Sequence, residues 1–418
     1  MKELVYWLWL SLACTPDTET YVKLREKFST PKEIYEADSD EIKRAVGSRS
    51  RDFNALSDKS IKRAEAVLDF CEKYGVGILT YDDARFPEKL RSIPTPPVLL
   101  YYRGTLPDFN HGFYSAIVGT RRLSDYGRRM AFAVGADLAS AGAVVVSGMA
   151  IGIDGVALAG ALSLGKSTVA VLGSGIDVCY PSQHRRLAQE IVKRGCVLTE
   201  YAPGTKPSRH NFPKRNRLMS GISDITVVIE GRENSGSIIT ARHAKKQGRP
   251  VYALPGNVDN TGSQVTNLLI KNGAKLFVSA DDIVRDYENA CPAYLNPFTL
   301  AEHKNPRMDI ALSEFKVSAV TPSDDIFAHP RREKAKKERK ITPFGEDAVQ
   351  KPDEKQLERD FDKTAISVYK KIPFEGDVEI ESLADGEIGL REVMKALLKL
   401  EMGRFVVVLP GERVKRNL

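Results

Sequence analysis

Four glycine-containing segments carry residue types suited to holding a phosphate: Gly119-Thr120-Arg121, Ser147-Gly148-Met149-Ala150-Ile151-Gly152-Ile153-Asp154, Gly173-Ser174-Gly175-Ile176-Asp177 and Ser235-Gly236-Ser237. Glycine lets the backbone approach a ligand closely, and successive free amides form anion-binding nests. One such loop is weak evidence, because turns after strands use glycine routinely. Four on one sheet edge make a phosphate tract more credible. A basic segment, Phe212-Pro213-Lys214-Arg215-Asn216-Arg217, stands just before the apolar turn Leu218 to Ile222. It reads as a loop and helix N-terminus, where cations beside free amides suit a phosphodiester. The competing reading puts Arg215 or Arg217 in a buried ion pair with Asp154, Glu200 or Glu230. Arg121 and Lys166 add to the expected positive surface. Tyr180, Tyr201 and Phe212 are either base-stacking rings or ordinary packing.

Other chemistry finds less support. Gly160-Ala161-Leu162-Ser163-Leu164-Gly165-Lys166-Ser167 matches the P-loop spacing. That motif works only between a preceding strand and a following helix, so that helix amides face the phosphate. Here the predicted order is inverted, with a helix before Gly165 and a strand after it. No Gly-x-Gly-x-x-Gly with a downstream ribose-binding acid is present, so a nicotinamide cofactor is unsupported. His184, His210 and His243 are scattered without a serine or cysteine partner, and no spacing suggests a metal site. Glu200 and Glu230 end predicted strands, as general acids or as groups that fix loops. The expectation is a site with no cofactor, no metal and no catalytic set.

The elements that must position these residues follow from periodicity. Residues 1–75 read as a small helical domain, with a second helix over Tyr21 to Phe28 capped near Asp17 or Thr18. From Tyr114 to Phe277, short β-rich runs alternate with helices: Ser115-Val118, Ala143-Val146, Thr168-Leu172, Val197-Thr199, Ile225-Ile229, Val251-Leu254 and Lys275-Val278. Several are continuously apolar, as in strands covered on both faces. This predicts a doubly wound, mostly parallel Rossmann-like α/β domain over 76–290. Residues 291–355, with the basic run Arg331 to Lys340, read as a flexible linker. Residues 356–418 read as helices followed by a hairpin, the order of a winged helix.

Composition bounds the partner. The chain has 418 residues and a formal net charge of +7, which permits an anionic partner without proving one. Its five cysteines are scattered, which fits reduced thiols in a cytosol. The apolar run Leu4 to Leu10 is far shorter than the ~20 residues that span a bilayer, and reads as a buried first helix. A cytoplasmic protein without a membrane segment is expected.

Taken in order, several of these motifs resemble one family. They are Gly119-Thr120-Arg121, Ser147 to Asp154, Gly173 to Pro181, Thr199 to Gly204, Asn211 to Gly221, Ser235-Gly236-Ser237-x-x-Thr240-Ala241 and Leu254-Pro255-Gly256. Together they resemble the DNA-processing protein A (DprA/Smf) family, closely from about Tyr81 to Val284. The resemblance implies a non-catalytic protein of natural transformation that binds incoming single-stranded DNA. It also implies loading of the RecA recombinase and homodimers formed through the Rossmann-like domain. It assigns a DNA contact to Arg121 and places Lys214, Arg215 and Arg217 in the family's basic motif. Relatives often carry a Pro-Gly-x-Gly hairpin after the first helix, where this chain has Cys14-Thr15-Pro16-Asp17-Thr18. The core also resembles nucleoside-monophosphate hydrolases of the lysine-decarboxylase-like group. Their Pro-Gly-Gly-x-Gly-Thr loop is absent, and Asn234-Ser235-Gly236-Ser237 stands in its place.

Overall fold

The computed structural model describes residues 2–232, 235–297, 299–300, 308–314, 361–373, 377–386, 388–402, 405–409 and 413–416. The chain divides into two units, residues 1–331 and 332–418. The first opens with six helices: α1 (Lys2–Ala13), α2 (Thr20–Arg25), α3 (Pro31–Glu36), α4 (Ser39–Val46), α5 (Phe53–Ser57) and α6 (Lys62–Tyr74). Trp7, Leu8, Trp9 and Leu10 of α1 are all buried, so the apolar start is a core helix. Local chemistry sets several boundaries. Thr30 caps α3 by accepting from the Glu33 amide, Asp38 and Glu41 form a capping box on α4, and Gly75 closes α6 with φ +62°. Helix α2 departs from expectation. It starts after Glu19, without a side-chain cap, because Asp17 is engaged elsewhere.

A nine-stranded sheet follows, in the order β1-β2-β6-β5-β4-β3-β7-β8-β9. Its strands and helices run β1 (Gly77–Thr80), α7 (Glu88–Arg91), β2 (Leu99–Gly104), β3 (Tyr114–Val118), α8 (Asp125–Ser140), β4 (Val144–Ser147), α9 (Ile153–Ser163), β5 (Thr168–Val171), α10 (Arg185–Arg194), β6 (Cys196–Thr199), α11 (Asn211–Ile222), β7 (Ile225–Val228), α12 (Ser237–Lys246), β8 (Val251–Ala253), α13 (Gln264–Lys271), β9 (Lys275–Leu276) and α14 (Ala280–Tyr287). Strands β3 to β9 are mutually parallel, while β2 runs antiparallel to both β1 and β6. All seven predicted strands of the Rossmann-like region are present. The helical start does not make a core of its own. Leu8, Leu10 and Leu24 share one apolar cluster with Leu99, Tyr101 and the α9 residues Ala157 and Leu158.

The chain enters the sheet at one edge with the antiparallel pair β1 and β2, then crosses to β3 at the centre. It builds β3, β4, β5 and β6 outward on one side, then returns to pair β7 on the other side of β3. The reversal makes a crevice at the carboxyl ends of β3, β4 and β7, the place where open α/β sheets bind ligands.

Packing against the sheet continues past residue 290. Leu295 is buried, the Asn296 amide donates to Ala141 O at 2.9 Å, and the Thr299 hydroxyl donates to Ser140 O at 2.8 Å. One further helix, α15 (Met308–Glu314), contacts α9. The basic run 331–340 lies outside the described residues.

The second unit contains α16 (Lys363–Lys371), β10 (Val378–Glu379), a short 3-10 turn Ile380–Leu383, α17 (Leu390–Met402), β11 (Val406–Leu409) and β12 (Arg413–Arg416). Its three strands form a separate antiparallel sheet, and Val368, Leu397, Leu400, Phe405 and Val414 form its core. Among the described residues, no helix is long and apolar enough to cross a membrane.

Candidate nucleic-acid interface

The crevice at the sheet centre is a cleft of about 610 Å³. Its walls come from the segment after β3, the turn into α9, the first turns of α11 and the start of α12. The loops interlock through backbone. Thr120 N–H donates to Glu230 O at 2.8 Å, and Ile153 N–H donates to Thr120 O at 3.2 Å. Gly152 sits at φ +95° with Thr120 O 2.3 Å from where a Cβ would stand, so only glycine fits.

Asp154 is the buried carboxylate of the cleft wall. It accepts amide hydrogens from Gly148 and Ala150 and faces Arg215. Burial pushes its carboxyl above the usual range, and Arg215 pulls it back. Arg215 is itself buried, and burial pushes its guanidinium down to about 10, so it stays charged at neutral pH. The guanidinium donates to Gly148 O at 2.9 Å, to Val171 O and to Asn216 Oδ1. It ties the ends of β4 and β5 to α11.

The open wall is cationic and aromatic. Arg121, Arg122, Arg209 and Arg232 all line the cleft and all are exposed. The Arg121 guanidinium lies 5.2 Å from the centroid of the Phe212 ring. Tyr180, 43% exposed, has its ring centroid 5.5 Å from that of Phe212, at 31° between planes. Helix α12 begins at the cleft with Gly236 at its N-cap and no side-chain cap. Ser235 and Ser237 share a 2.8 Å hydroxyl contact there. The Thr240 hydroxyl, one turn in and 1% exposed, has no hydrogen-bond partner among the described residues. A buried hydroxyl in that state is costly unless a ligand or water completes it. Helix amides, a free hydroxyl and four exposed cations suit one chemistry, the binding of a phosphate ester.

Of the residues singled out in the sequence, Gly119, Thr120, Arg121, Ala150, Asp154, Tyr180, Phe212, Pro213, Arg215, Asn216, Ser235, Gly236, Ser237 and Thr240 line this cleft. The others do not. Ser147 is fully buried, with its hydroxyl on Ile117 O at 2.6 Å, and Gly148 lies behind the Arg215 guanidinium. Gly173, Ser174 and Gly175 anchor neighbouring loops instead: Gly173 O accepts from Asn211, Ser174 Oγ donates to Val178 O, and Gly175 N–H donates to Thr205 O. Lys166 precedes β5 and so stands at the amino edge of the parallel strands, opposite the cleft. Its amide closes the end of α9 on Ala161 O, as the inverted P-loop order requires.

Lys214 and Arg217 leave the expected positive surface altogether. Lys214 Nζ donates to Pro16 O at 3.0 Å. Arg217 is 2% exposed, hydrogen-bonded to Glu200 and 3.4 Å from Asp17 Oδ1. Both face the helical start of the chain because of their position on α11. Phe212, Arg215, Asn216 and Met219 fall on the cleft face at helical spacing, and Lys214 and Arg217 fall between them. The basic segment is thus helical throughout, not loop.

Sequence reasoning missed Arg122, Arg209 and Arg232. Each lies within three residues of a segment already singled out or of a strand end. Charge adjoining those segments was the available signal.

Glu230 is not among the cleft-lining residues. Its carboxylate accepts from the Ser124 amide at 3.0 Å and sits against Gly127 and Gly262. His184 Nδ1 must carry its hydrogen to donate to Met149 O at 2.9 Å. Both groups fix loops.

A family model for the DNA recombination-mediator protein A matches residues 77–288. The chain belongs to that family. Within it, the DNA processing protein DprA of Bacillus subtilis is 35% identical over 232 residues, covering 56% of this chain and 78% of that protein. Protein Smf of Synechocystis sp. is 40% identical over 209 residues, covering 49% of this chain and 52% of that protein, so the chain matches about half its length. The X-ray structure of DNA processing protein A from Streptococcus pneumoniae aligns with a TM-score of 0.51 and 31% identity, covering 65% of this chain and 99% of that one. The family region contains every cleft-lining residue, whereas Asp17 and Pro16 lie outside it.

Proposed function

We propose that this protein binds single-stranded DNA in the arginine-rimmed cleft and does no covalent chemistry on it. One observation carries the reading. Four exposed arginines and the N-terminus of α12 converge on one crevice whose rim also carries the exposed Tyr180 ring. The cations and amides suit successive phosphates. A ring at the rim suits an unstacked base, which a single strand offers and a duplex does not. Family membership supports DNA as the polyanion. The engagement of Glu230 and His184 in loop contacts supports binding without turnover.

Fluorescence anisotropy with a labelled oligothymidine and the matching duplex tests this. Tight binding of the strand, weak binding of the duplex and a log–log salt slope of about −0.7 per phosphate contacted are expected. Equal affinity for both, or release of free base from nucleoside monophosphates, overturns the reading.

Loading of RecA, pairing of two copies, a winged-helix role for the second unit and a cytoplasmic location belong to the same proposal. For pairing, edge strand β9 and its extension expose Leu276 and Val278. Sedimentation of the Leu276→Arg variant should show a shift toward monomer, and an unchanged species would refute that interface.

A further inference from the structure

Helix α11 has two working faces. One supplies Phe212, Arg215 and Asn216 to the cleft. The other meets the turn between α1 and α2. Asp17 sits in that turn at φ +61°, a left-handed conformation that aspartate tolerates better than most residues. Its carboxylate accepts from the Thr95 hydroxyl at 2.8 Å and lies 3.4 Å from Arg217 Nε. Arg217 bridges from Asp17 to Glu200, which is 5% exposed and follows β6. Lys214 grips the neighbouring carbonyl of Pro16. Arg217 Nε and Nη1 and Glu200 Oε1 are buried without hydrogen-bond partners among the described residues, so the Asp17 contact is purely ionic. The bridge therefore depends on charge at both ends, and loss of Asp17 would leave α11 with a less well-held cation.

We propose that Asp17 is a positioning residue for the DNA cleft. Through Arg217 and Lys214 it fixes α11, so that docking of the α1–α2 turn and DNA binding on the opposite face are energetically coupled. This rests on the single-strand reading above. Coupling of two sites is reciprocal, so the strand must in turn steady the distant turn.

The test uses the full chain and a labelled oligothymidine. Asp17→Asn keeps the backbone preference and the Thr95 contact while removing the charge. It should weaken strand binding at least about fivefold, with the salt slope unchanged because no phosphate contact is lost. Lys214→Met should behave in the same way. Arg121→Ala, by contrast, should flatten the slope. Hydrogen exchange supplies a readout that a purely stabilising strut would not move. In the wild type, added strand should slow exchange in residues 14–25. In Asp17→Asn that protection should vanish, while protection near residues 119–122 persists at saturating strand.

Wild-type affinity in Asp17→Asn, or no strand-dependent protection in residues 14–25, overturns the coupling and leaves the cleft reading intact. A flattened slope in Lys214→Met overturns it too, by making Lys214 a phosphate contact. Failure of the wild-type chain to bind the strand removes both proposals together.

Discussion

Two positions separate Arg215 from Arg217, which on an α-helix sets them roughly 200° apart around the axis. One faces the cleft and the other the helical start of the chain, so the same side chain does different work at each. Arg121 is exposed at the cleft, and Arg121→Glu should weaken strand binding for all sequences alike and flatten the salt slope, read by anisotropy at several salt concentrations. Arg217→Ala should instead lower the melting temperature, because it leaves Glu200 buried and unpaired. A loss of about 3–5 kcal/mol in denaturant unfolding is expected. Near-native stability with a changed salt slope would reverse that assignment. His184 makes a pH prediction. Burial lowers its pKa in the folded state below the ordinary 6.5, so its contribution is present above about 6.5 and lost as pH falls. Thermal stability should decline as pH falls below about 6.5, and His184→Gln should remove part of the decline. His243 shifts in the same direction, so some decline remains in that variant. Asp154 and Glu200, raised by burial, act with the opposite sign, and comparison with the wild type at each pH isolates the histidine.

At the scale of elements, strands were the most legible feature. Buried parallel strands read as continuous apolar runs, and each such run in the Rossmann-like region is a strand within a few residues of its predicted ends. The P-loop lookalike was also decided by element order: α9 ends at Ser163, and β5 begins at Thr168. Less legible was the packing of α8 on α9. A Cβ at Gly135 would stand 2.3 Å from Ala157 O, and one at Gly160 would stand 2.3 Å from Phe132 O. These glycines bring the two helices into backbone contact. Gly160→Ala should therefore destabilise the fold by about 1–3 kcal/mol through overpacking, measured by denaturant titration. An unchanged midpoint would mean the helices can part at no cost.

At the scale of the molecule, the cleft belongs wholly to the first unit, and the second has a core of its own. Removing residues after about 355 should leave strand affinity within about twofold of the full chain. A larger loss would bring the second unit into the DNA site. Sheet order is what collects the cleft. The reversal at β3 sets Gly119-Thr120-Arg121, Asp154 and Ser235-Gly236-Ser237 around one crevice, though over a hundred positions of sequence separate the first from the last.

The sequence alone determined the class of fold, the strands, the family's motifs and the chemistry that could meet a polyanion. These are local matters, written in periodicity, composition and short spacings. Which cations reach solvent and which are neutralised was decided by tertiary structure. The partners of Arg217 are Asp17 and Glu200, one far upstream in another element and one at the end of a different strand. Charge in a sequence carries no record of such distant neighbours, because burial and pairing arise only when the elements pack.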